Sequence, residues 1–342
     1  MQMNKIKYGK LPPESLRSII FKRLGSPNDN ILLGPAIGED AAVVKINENI
    51  IGLTTDPITG AYKDLGRLVV HINANDIATR GMKPVFLLVT LLLPQDFDLE
   101  KLKYIAEQMD TEAKKIGVAI VGGHTEFTPD IKNPIAIGFM VGEIVYNGYV
   151  TSGGAKVGDK LIMTKMAAIE GTAILAEDGE DFLRNKGMSE NEIQKAKEFK
   201  NWISVVKDGL TAMETGFVHA MHDPTEGGIF GGICEIAEAS KLGVRVYEKN
   251  IKISEITRKI ANMFEINPYY LISSGTMLIA VEKGKESLVI ERLKQNSIDA
   301  SVIGEFIEPP DFILVRKDGS EESIEWPRQD ELWEALEKCK GE

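Results

Sequence analysis

Three features of the sequence predict an α/β (α+β) protein with two domains. The chain has 342 residues, and a domain typically takes roughly 150 residues. In the first half, short apolar segments typical of strands alternate with longer segments that have the period of helices. Around residues 147–158 turn-forming residues become frequent, among them Gly153, Gly154 and Gly158. We therefore predict one domain over residues 1–150 and a second over residues 151–342.

The elements of the first domain follow from these periods. The predicted strands are residues 41–46, 50–55, 85–93, 118–121 and 135–145, and the predicted helices are residues 64–81 and 98–116. The second helix has an apolar stripe that includes Ile105 and Met109, and Gly117 is a typical residue for its end. Neither face of the strand 85–93 is clearly polar, which predicts burial on both sides.

The second domain is predicted to mix helices and strands as well. The predicted elements are a strand at 160–164, a charged and mobile helical stretch at 177–200, a glycine-rich segment at 223–232 with a helix to about residue 240, helices at 254–264 and 285–296, strands at 276–282 and 301–306, and a short exposed helix within 329–342. Leu332, Leu336 and Cys339 fall at near-helical spacing, so we expect Cys339 to pack on the apolar side of that last helix.

Composition excludes several classes of protein. With 43% hydrophobic and 27% charged residues the chain has the composition of a globular protein rather than a disordered one. A net charge of -11 argues against nucleic acid as a partner, although an acidic protein can bind ATP when magnesium supplies positive charge. The longest apolar run, 85–93, is too short to cross a membrane. The polar start and the sparse cysteines, Cys234 and Cys339, predict the cytoplasm.

Asp76 interrupts an apolar helix face. The stripe runs through Leu68, Val69 and Ile72, and the next position on that face is Asp76. One interpretation is a buried aspartate paired with Arg80 or with a backbone amide. The other is a cation ligand, which the neighbouring amide of Asn75 favours because a carboxylate and a carbonyl oxygen together suit a hard cation.

Other acids and glycines stand at the ends of predicted strands. Asp40 precedes a strand and Asp56 ends the next one, positions at which an acid is often only a turn or cap residue. Gly122 and Gly123 follow a short apolar strand and would let backbone amides approach an anion, although the pattern of a P-loop is absent. His124 and Thr125 come directly after these glycines.

A second glycine-rich segment opens a predicted helix. Asp223 and Thr225 precede Gly227 and Gly228, whose amides could meet a phosphate at the start of the helix. An Asx-Pro turn with ordinary capping explains the same residues. The four histidines do not have the spacing of a zinc site.

The order of these motifs strongly resembles the AIR synthase superfamily. The motifs are Gly38-Glu39-Asp40-Ala41-Ala42-Val43, Thr54-Thr55-Asp56, Asn75-Asp76-Ile77-Ala78, Gly122-Gly123-His124-Thr125, Asp223-Pro224-Thr225 with Gly227-Gly228, and Ser274-Gly275-Thr276-Met277-Leu278. This superfamily contains AIR synthase, the ATP-binding domains of FGAM synthetase, selenophosphate synthetase, thiamine-monophosphate kinase and the hydrogenase-maturation protein HypE. Asp64-Leu65-Gly66 and His222-Asp223-Pro224-Thr225 make the chain most similar to the HypE-like branch.

The resemblance implies both an architecture and a site. It implies an N-terminal domain whose mixed sheet pairs with that of a second subunit to form a barrel in a homodimer, a C-terminal α/β domain, and ATP with Mg²⁺ between the two domains. The implied roles are metal ligation by Asp40, Asp56, Asp76 and Asp223, contact with ATP by Asp40, Asp56, Asn75, Gly122, Gly123, Thr125, Thr225, Gly227 and Gly228, and catalysis by Asp76 and His124, the last of which could equally be structural.

Some residues depart from the patterns of these relatives. Cys339 is followed by Lys340-Gly341-Glu342 and lacks the Pro-Arg-Ile-Cys ending of HypE, where the cysteine carries the carbamoyl group. Ser274 stands where HypE has a glutamate before the glycine. The reactive N-terminal cysteine of selenophosphate synthetase and the signature of AIR synthase that begins Gly-Thr-Asp-Gly are absent too.

These observations lead to one functional hypothesis and two alternatives. The hypothesis is a HypE-like enzyme that uses Mg-ATP to phosphorylate a carbonyl or amide oxygen of a small-molecule or protein-borne acceptor. One alternative is a nucleotide-binding scaffold or regulator that has lost turnover. The other is a small-molecule kinase of the thiamine-monophosphate kinase type, which the sequence around residues 273–276 does not favour.

Overall fold

The computed structural model describes residues 9–60 and 62–340, the side chain of residue 340 excepted. It contains two β-sheets with helices packed against them, which confirms the mixed α/β class. The last strand of the first sheet ends at Ile144 and the first strand of the second sheet begins at Lys160. The turn-rich segment at 147–158 therefore connects the two sheets.

The first sheet has six strands in the order β1-β2-β3-β6-β4-β5. Neighbouring strands are antiparallel except for β4 and β5, which are parallel. The strands are β1 (Ile31–Leu33), β2 (Ala42–Ile46), β3 (Asn49–Ile58), β4 (Met82–Leu93), β5 (Ala119–Phe127) and β6 (Ile135–Ile144), and the helices of this half are α1 (Pro13–Ser15), α2 (Leu65–Thr79) and α3 (Leu99–Ile116).

Helix α2 is the central helix of the molecule. It packs on β3, β4 and β6 and also contacts α7 (Val206–Met213) of the second half, so nearly all of its side chains are buried. The sheet accommodates this close approach with glycine, since a Cβ on Gly138 would lie 2.3 Å from the Asn73 amide. The helix is therefore held from both sides, and its polar residues are fixed between the two halves.

The second sheet has seven strands in the order β13-β12-β9-β11-β7-β10-β8. Its strands are β7 (Lys160–Thr164), β8 (Val218–His222), β9 (Gly243–Tyr247), β10 (Leu278–Val281), β11 (Ala300–Ile307), β12 (Phe312–Val315) and β13 (Glu321–Ser323). The remaining helices are α4 (Ile169–Asp178), α5 (Glu180–Asn185), α6 (Glu190–Lys197), α8 (Gly228–Ala239), α9 (Glu255–Met263), α10 (Glu286–Gln295) and α11 (Glu331–Lys340). Helix α7 and strands β1, β8, β9, β12 and β13 are not among the elements predicted from the sequence.

Three expectations about local structure were wrong. The stretch 177–200 is helical, as predicted, but its packing contradicts the expected mobility, because Phe182, Leu183 and Ile193 are buried in a cluster with α9 and α11. Helix α11 is not simply exposed, since Leu332 and Ala335 belong to the same cluster. Gly122 and Gly123 do not follow a strand that ends at residue 121 but lie inside the edge strand β5.

One face of the first sheet is apolar and uncovered. In β4, alternate residues such as Leu87 and Val89 are buried under the helices, whereas Phe86 and Leu88 on the other face are 47% and 37% exposed. Phe139 of β6, paired with Leu88, is 39% exposed. Among residues 9–60 and 62–340 only one side of β4 is covered, so the predicted burial on both sides would need a partner. Among the described helices none combines the length and hydropathy needed to span a bilayer.

We expect this open face to form a homodimer. Phe86→Glu would bury a charge in the interface and should yield a monomer at micromolar concentration in sedimentation velocity. Leu99→Glu is the matched control, because Leu99 is 66% exposed at the start of α3, on the helix-covered side of the sheet. A monomeric unaltered protein would contradict the prediction.

Cys339 lies against the core of the second half. A Cβ added to Gly179 would lie 3.2 Å from the Sγ of Cys339. The Cys339 side chain also packs on the apolar cluster that contains Phe264. This position agrees with the expected packing role.

Cys339→Ala should therefore leave nucleotide binding and any ATPase activity unchanged, with a loss of stability of about 1 kcal/mol. Thermal denaturation and a nucleotide-binding isotherm measure the two effects. Selective loss of acceptor-dependent turnover in a folded variant would instead assign Cys339 a carrier role.

Candidate active site

Four aspartates from both halves of the chain converge between the two sheets. Asp40 precedes β2, Asp56 lies in β3, Asp76 in α2, and Asp223 directly follows β8. They are close enough that Asp56, Asp223 and Asp40 all help to raise the pKa of Asp76. The structure thus brings together all four acids that the sequence suggested as metal ligands.

Asp76 is buried and forms no ion pair with a basic side chain among the described residues. Burial, followed by the charges of the other three acids, raises its pKa well above the usual value, and the Thr54 hydroxyl, which donates to Oδ2 at 2.6 Å, opposes this in part. The pairing with Arg80 that we considered is not formed. Burial also raises the pKa of Asp56 to about 6, although Lys10 partly offsets it.

Asp223 has the clearest deficit of partners. It is 1% exposed, and neither carboxylate oxygen has a hydrogen bond among the described residues. Burial and then the charge of Asp40 raise its pKa well above the usual value. A buried carboxylate in this condition is stable only when protonated or bound to a cation.

His222 lies beside these acids as a cation. Its Nδ1 is 2.9 Å from Asp40 Oδ1 and its Nε2 is 2.8 Å from Glu235 Oε2. Although burial opposes the charge, Asp40 and Glu235 raise the pKa of His222 to about 10. Asp40, His222 and Asp223 each place one donor atom within 4.8 Å of the others. Because both ring nitrogens are already hydrogen-bonded, the free ligands at this point are carboxylate oxygens.

Arg80 fixes the acidic end of the site. Its guanidinium is 0% exposed, forms an ion pair with Glu39, and donates to Asp40 Oδ2 at 3.2 Å and to Ser152 Oγ at 2.7 Å. It also donates to the Met221 carbonyl of β8 at 3.2 Å. A single buried cation therefore holds α2, the segment before β2 and the second sheet together.

Lys10 is a site residue that sequence reasoning missed. Its ammonium donates to Thr225 Oγ1 at 3.1 Å and lies 3.7 Å from Glu235 Oε1. The charge of Glu235 is the main cause of a raised Lys10 pKa, with Asp40 and Asp56 contributing. Conversely, although burial opposes it, Lys10 and His222 lower the pKa of Glu235 to about 2. No local pattern distinguishes position 10, because its partners lie more than 200 residues away.

Asn75 connects the two halves. Its side-chain amide donates to the Ile203 carbonyl at 3.0 Å and accepts from the Val205 amide at 2.9 Å. These bonds engage both ends of the side chain, so the structure gives Asn75 a positioning role. Contact with ATP stays a prediction.

The residues from Gly122 to Thr125 lie away from the acids. Asp56, Gly138, Val89 and Gly123 form one row across β3, β6, β4 and β5, so Gly123 is three strand spacings, about 14 Å, from Asp56. Gly123 has φ +150°, and a Cβ there would lie 1.9 Å from the Val89 carbonyl oxygen. Strand packing alone therefore requires a glycine at position 123. His124 is 65% exposed with Nε2 3.1 Å from Glu126 Oε2. Phosphate binding by Gly122, Gly123 and Thr125 and catalysis by His124 stay predictions.

The start of α8 lies beside Lys10 but is already hydrogen-bonded. The Gly227 amide donates to Asp330 Oδ2 at 2.7 Å and the Gly228 amide to the Thr225 carbonyl at 3.1 Å. A Cβ on Gly228 would lie 2.6 Å from the Tyr269 carbonyl oxygen. These contacts leave fewer donors for a phosphate than the sequence suggested.

Comparison with known proteins now places the fold. The family model described as "AIR synthase related protein, N-terminal domain" matches residues 38–144, and the corresponding C-terminal domain model matches residues 156–317. The chain belongs to the AIR synthase related family. Asp40, Asp56 and Asp76 lie in the first matched region and Asp223 in the second, whereas Lys10 lies outside both.

Relatives from this family cover most of the chain. A Methanocaldococcus jannaschii protein provisionally named as a hydrogenase expression/formation protein is 28% identical over 304 residues, 86% of this chain and 88% of that protein. Carbamoyl dehydratase HypE of Bradyrhizobium diazoefficiens is 25% identical over 284 residues, 80% and 79% of the two chains. Selenide, water dikinase of Clostridioides difficile is 26% identical over 331 residues, 87% and 92% of the two chains.

Solved structures show the same fold. A crystal structure of a HypE-HypF complex matches with a TM-score of 0.76 at 22% identity and covers 92% of this chain and 99% of that chain. HypE in complex with ATP matches with a TM-score of 0.71 at 18% identity, covering 93% and 95%. The AIR synthase fold that the motif order implied is confirmed.

Removal of Arg80 should destabilise the protein. Arg80→Met keeps much of the volume but leaves Glu39 without its cation and Asp40 with His222 alone, which should cost about 3–5 kcal/mol in urea unfolding at neutral pH. Arg17→Met is the control, because its ion pair with Glu238 is half-exposed and should contribute about 1 kcal/mol or less. Equal small losses in both variants would disprove the proposed role of Arg80.

Proposed function

We propose that this chain is an ATP-dependent enzyme that transfers a phosphoryl group to a carbonyl or amide oxygen of an acceptor, as a HypE-like member of the AIR synthase related family. The observation that carries the proposal is the convergence of four aspartates, with Asp223 buried and unpartnered. Related folds support it, since one neighbour is HypE in complex with ATP and another is a ThiL protein with AMPPCP and TMP.

The donor set fits magnesium. Two like unit charges about 5 Å apart repel by roughly 3 kcal/mol at an effective dielectric constant near 20, so four close carboxylates call for cations. Asp40, Asp56, Asp76 and Asp223 offer the oxygen ligands that Mg²⁺ prefers. Bound magnesium would neutralise charge on the nucleotide phosphates during transfer.

The surrounding residues orient these ligands. Arg80 and His222 both contact Asp40, which fixes the position of its carboxylate. Thr54 donates to Asp76 and holds one of its oxygens in place. Lys10 brings a positive charge to the open side of the cluster, where it can contact a phosphate group.

The acceptor is proposed to come from another molecule. Cys339 lies in helix α11, where it packs beside Gly179 of the segment between α4 and α5. It is therefore not placed on a free tail, and the carbamoyl-carrier arrangement of HypE is not favoured. The acceptor is then a small molecule or a group carried by another protein. One structural neighbour is a HypE in complex with a second protein, HypF. We propose a cytoplasmic homodimer as the working form.

Asp76→Asn tests the site directly. Removal of one charge with nearly the same shape should weaken binding of a nonhydrolysable ATP analogue at limiting magnesium by about tenfold or more, which is at least roughly 1.4 kcal/mol. In a chelator the same variant should be at least as stable as the unaltered chain, because repulsion in the cluster decreases.

Isothermal titration at several magnesium concentrations measures the affinity. Asp110→Asn is the control, since Asp110 forms an exposed pair with Lys114 on α3. Unchanged affinity of Asp76→Asn at limiting magnesium would refute the metal site. Nucleotide binding without turnover across acceptors would favour a scaffold.

A further inference from the structure

Asn73 is a buried polar residue of α2 that lies beside the aspartate cluster without being one of its acids. It is 0% exposed, and both ends of its side-chain amide are hydrogen-bonded. Its Oδ1 accepts from the Asp56 amide at 2.9 Å, and its Nδ2 donates to the Asp56 carbonyl at 3.3 Å and to the Val69 carbonyl at 2.9 Å. The side chain therefore holds the backbone of an acid that belongs to a different element, strand β3.

This contact takes the place of a neighbouring strand. Strand β2 pairs with β3 from Asn49 to Leu53, so among the described residues only β6 pairs with β3 at Asp56. A strand residue presents its amide and its carbonyl toward the same edge, and the Asn73 side chain supplies one acceptor and one donor for that pair. Because a buried backbone group without a partner costs free energy, Asn73 stabilises β3 at this point.

The contact also connects two acids of the cluster. Asp76 lies three residues after Asn73, on the same face of α2. In the opposite direction, Thr54 of β3 donates to Asp76 Oδ2 at 2.6 Å and lies two residues before Asp56. Strand β3 thus holds the acid of the helix, and the helix holds the acid of the strand. The relative position of the two carboxylates depends on both contacts.

The first sheet restricts the movement of the Asn73 side chain. Gly138 of β6 pairs with Asp56, and a Cβ on Gly138 would lie 2.3 Å from Asn73 Nδ2 and 2.9 Å from Asn73 Oδ1. The amide is therefore packed directly against the backbone of β6. Its hydrogen-bond partners, Asp56 and Val69, both lie in the first half of the chain, whereas Asn75 contacts the second half.

We propose that Asn73 is a positioning residue of the metal site that sets its preference among cations by size. The inference rests on the proposed function, in which Asp56 and Asp76 are metal ligands. Mg²⁺ takes oxygen ligands at about 2.0–2.1 Å in nearly octahedral geometry, whereas Ca²⁺ accepts about 2.3–2.6 Å and irregular geometry. Two carboxylates with a fixed separation can discriminate against the larger ion, and a flexible pair admits both.

Cation binding in the absence of nucleotide tests this role. Asn73→Leu has nearly the same volume but no hydrogen bonds, and it should weaken Mg²⁺ binding by about 10- to 100-fold while Ca²⁺ binding changes by less than about threefold. Isothermal titration measures both affinities. Their ratio is the decisive quantity, because a loss of stability alone would reduce both affinities together. An unchanged ratio in folded Asn73→Leu overturns the proposal.

Two further variants guard against an effect of stability. Asn73→Ser is smaller, so water can reach the Asp56 backbone and preserve the fold, yet the ratio of Mg²⁺ to Ca²⁺ affinity should still fall. Thr172→Val is the matched control, because Thr172 is 0% exposed in α4 and donates to the Ala168 carbonyl at 2.6 Å. It should lose stability and keep the ratio. A fall of the ratio in Thr172→Val would assign the effect to stability and overturn the proposal.

A double-variant cycle tests whether Asn73 acts through Asp56. In Asp56→Asn the acid that Asn73 positions is already lost, so adding Asn73→Ser should change the ratio by less than about twofold. A further fall as large as the one in the unaltered chain overturns the proposal. An unaltered protein that binds neither cation refutes the metal site of the proposed function, and this inference fails with it. Intact cation binding with an unchanged ratio in both Asn73 variants refutes this inference alone.

Discussion

Repulsion among buried carboxylates is the constraint around which the site is built. Four aspartates and Glu39 meet between two sheets, where burial limits the screening of their charges by water. The buried guanidinium of Arg80 and the charged imidazole of His222 neutralise one side of this group, and both contact Asp40. Asp76 has no basic partner among the described residues, and His222 and Lys10 offset the burial of Asp223 only in part. The described side chains thus neutralise one side of the cluster more fully than the other.

The sequence led to the four aspartates by two routes, a break in a local pattern for Asp76 and a family resemblance for the other three. Asp76 occupies an apolar helix face, and the other three stand beside strands in a motif order that one superfamily shares. Lys10 and Glu235 carry no comparable signal, because what matters about them is a partner far away in the chain. Contacts between distant segments have no local signature, so only the structure could show them.

The same reasoning explains the errors in local structure. Two adjacent glycines usually predict a turn, but in β5 the close approach of the Val89 carbonyl to Gly123 demands glycine within a strand. The charged stretch 177–200 has its apolar residues spread over short helices, so no single period reveals the buried cluster they form. In both places tertiary packing overrides what the local residues favour.

The role of Asn75 has a consequence for how the cleft can open. Asn75 and Asp76 are adjacent on α2, so Asn75, which is hydrogen-bonded to Ile203 and Val205, cannot move without moving the proposed metal ligand Asp76. Hinge motion at this point would displace Asp76, so we expect nucleotide exchange to depend on the N-terminal arm, residues 10–17, instead. That arm is attached by half-exposed ion pairs of Lys10 and Arg17, which salt screens. The rate of nucleotide release should therefore increase with ionic strength.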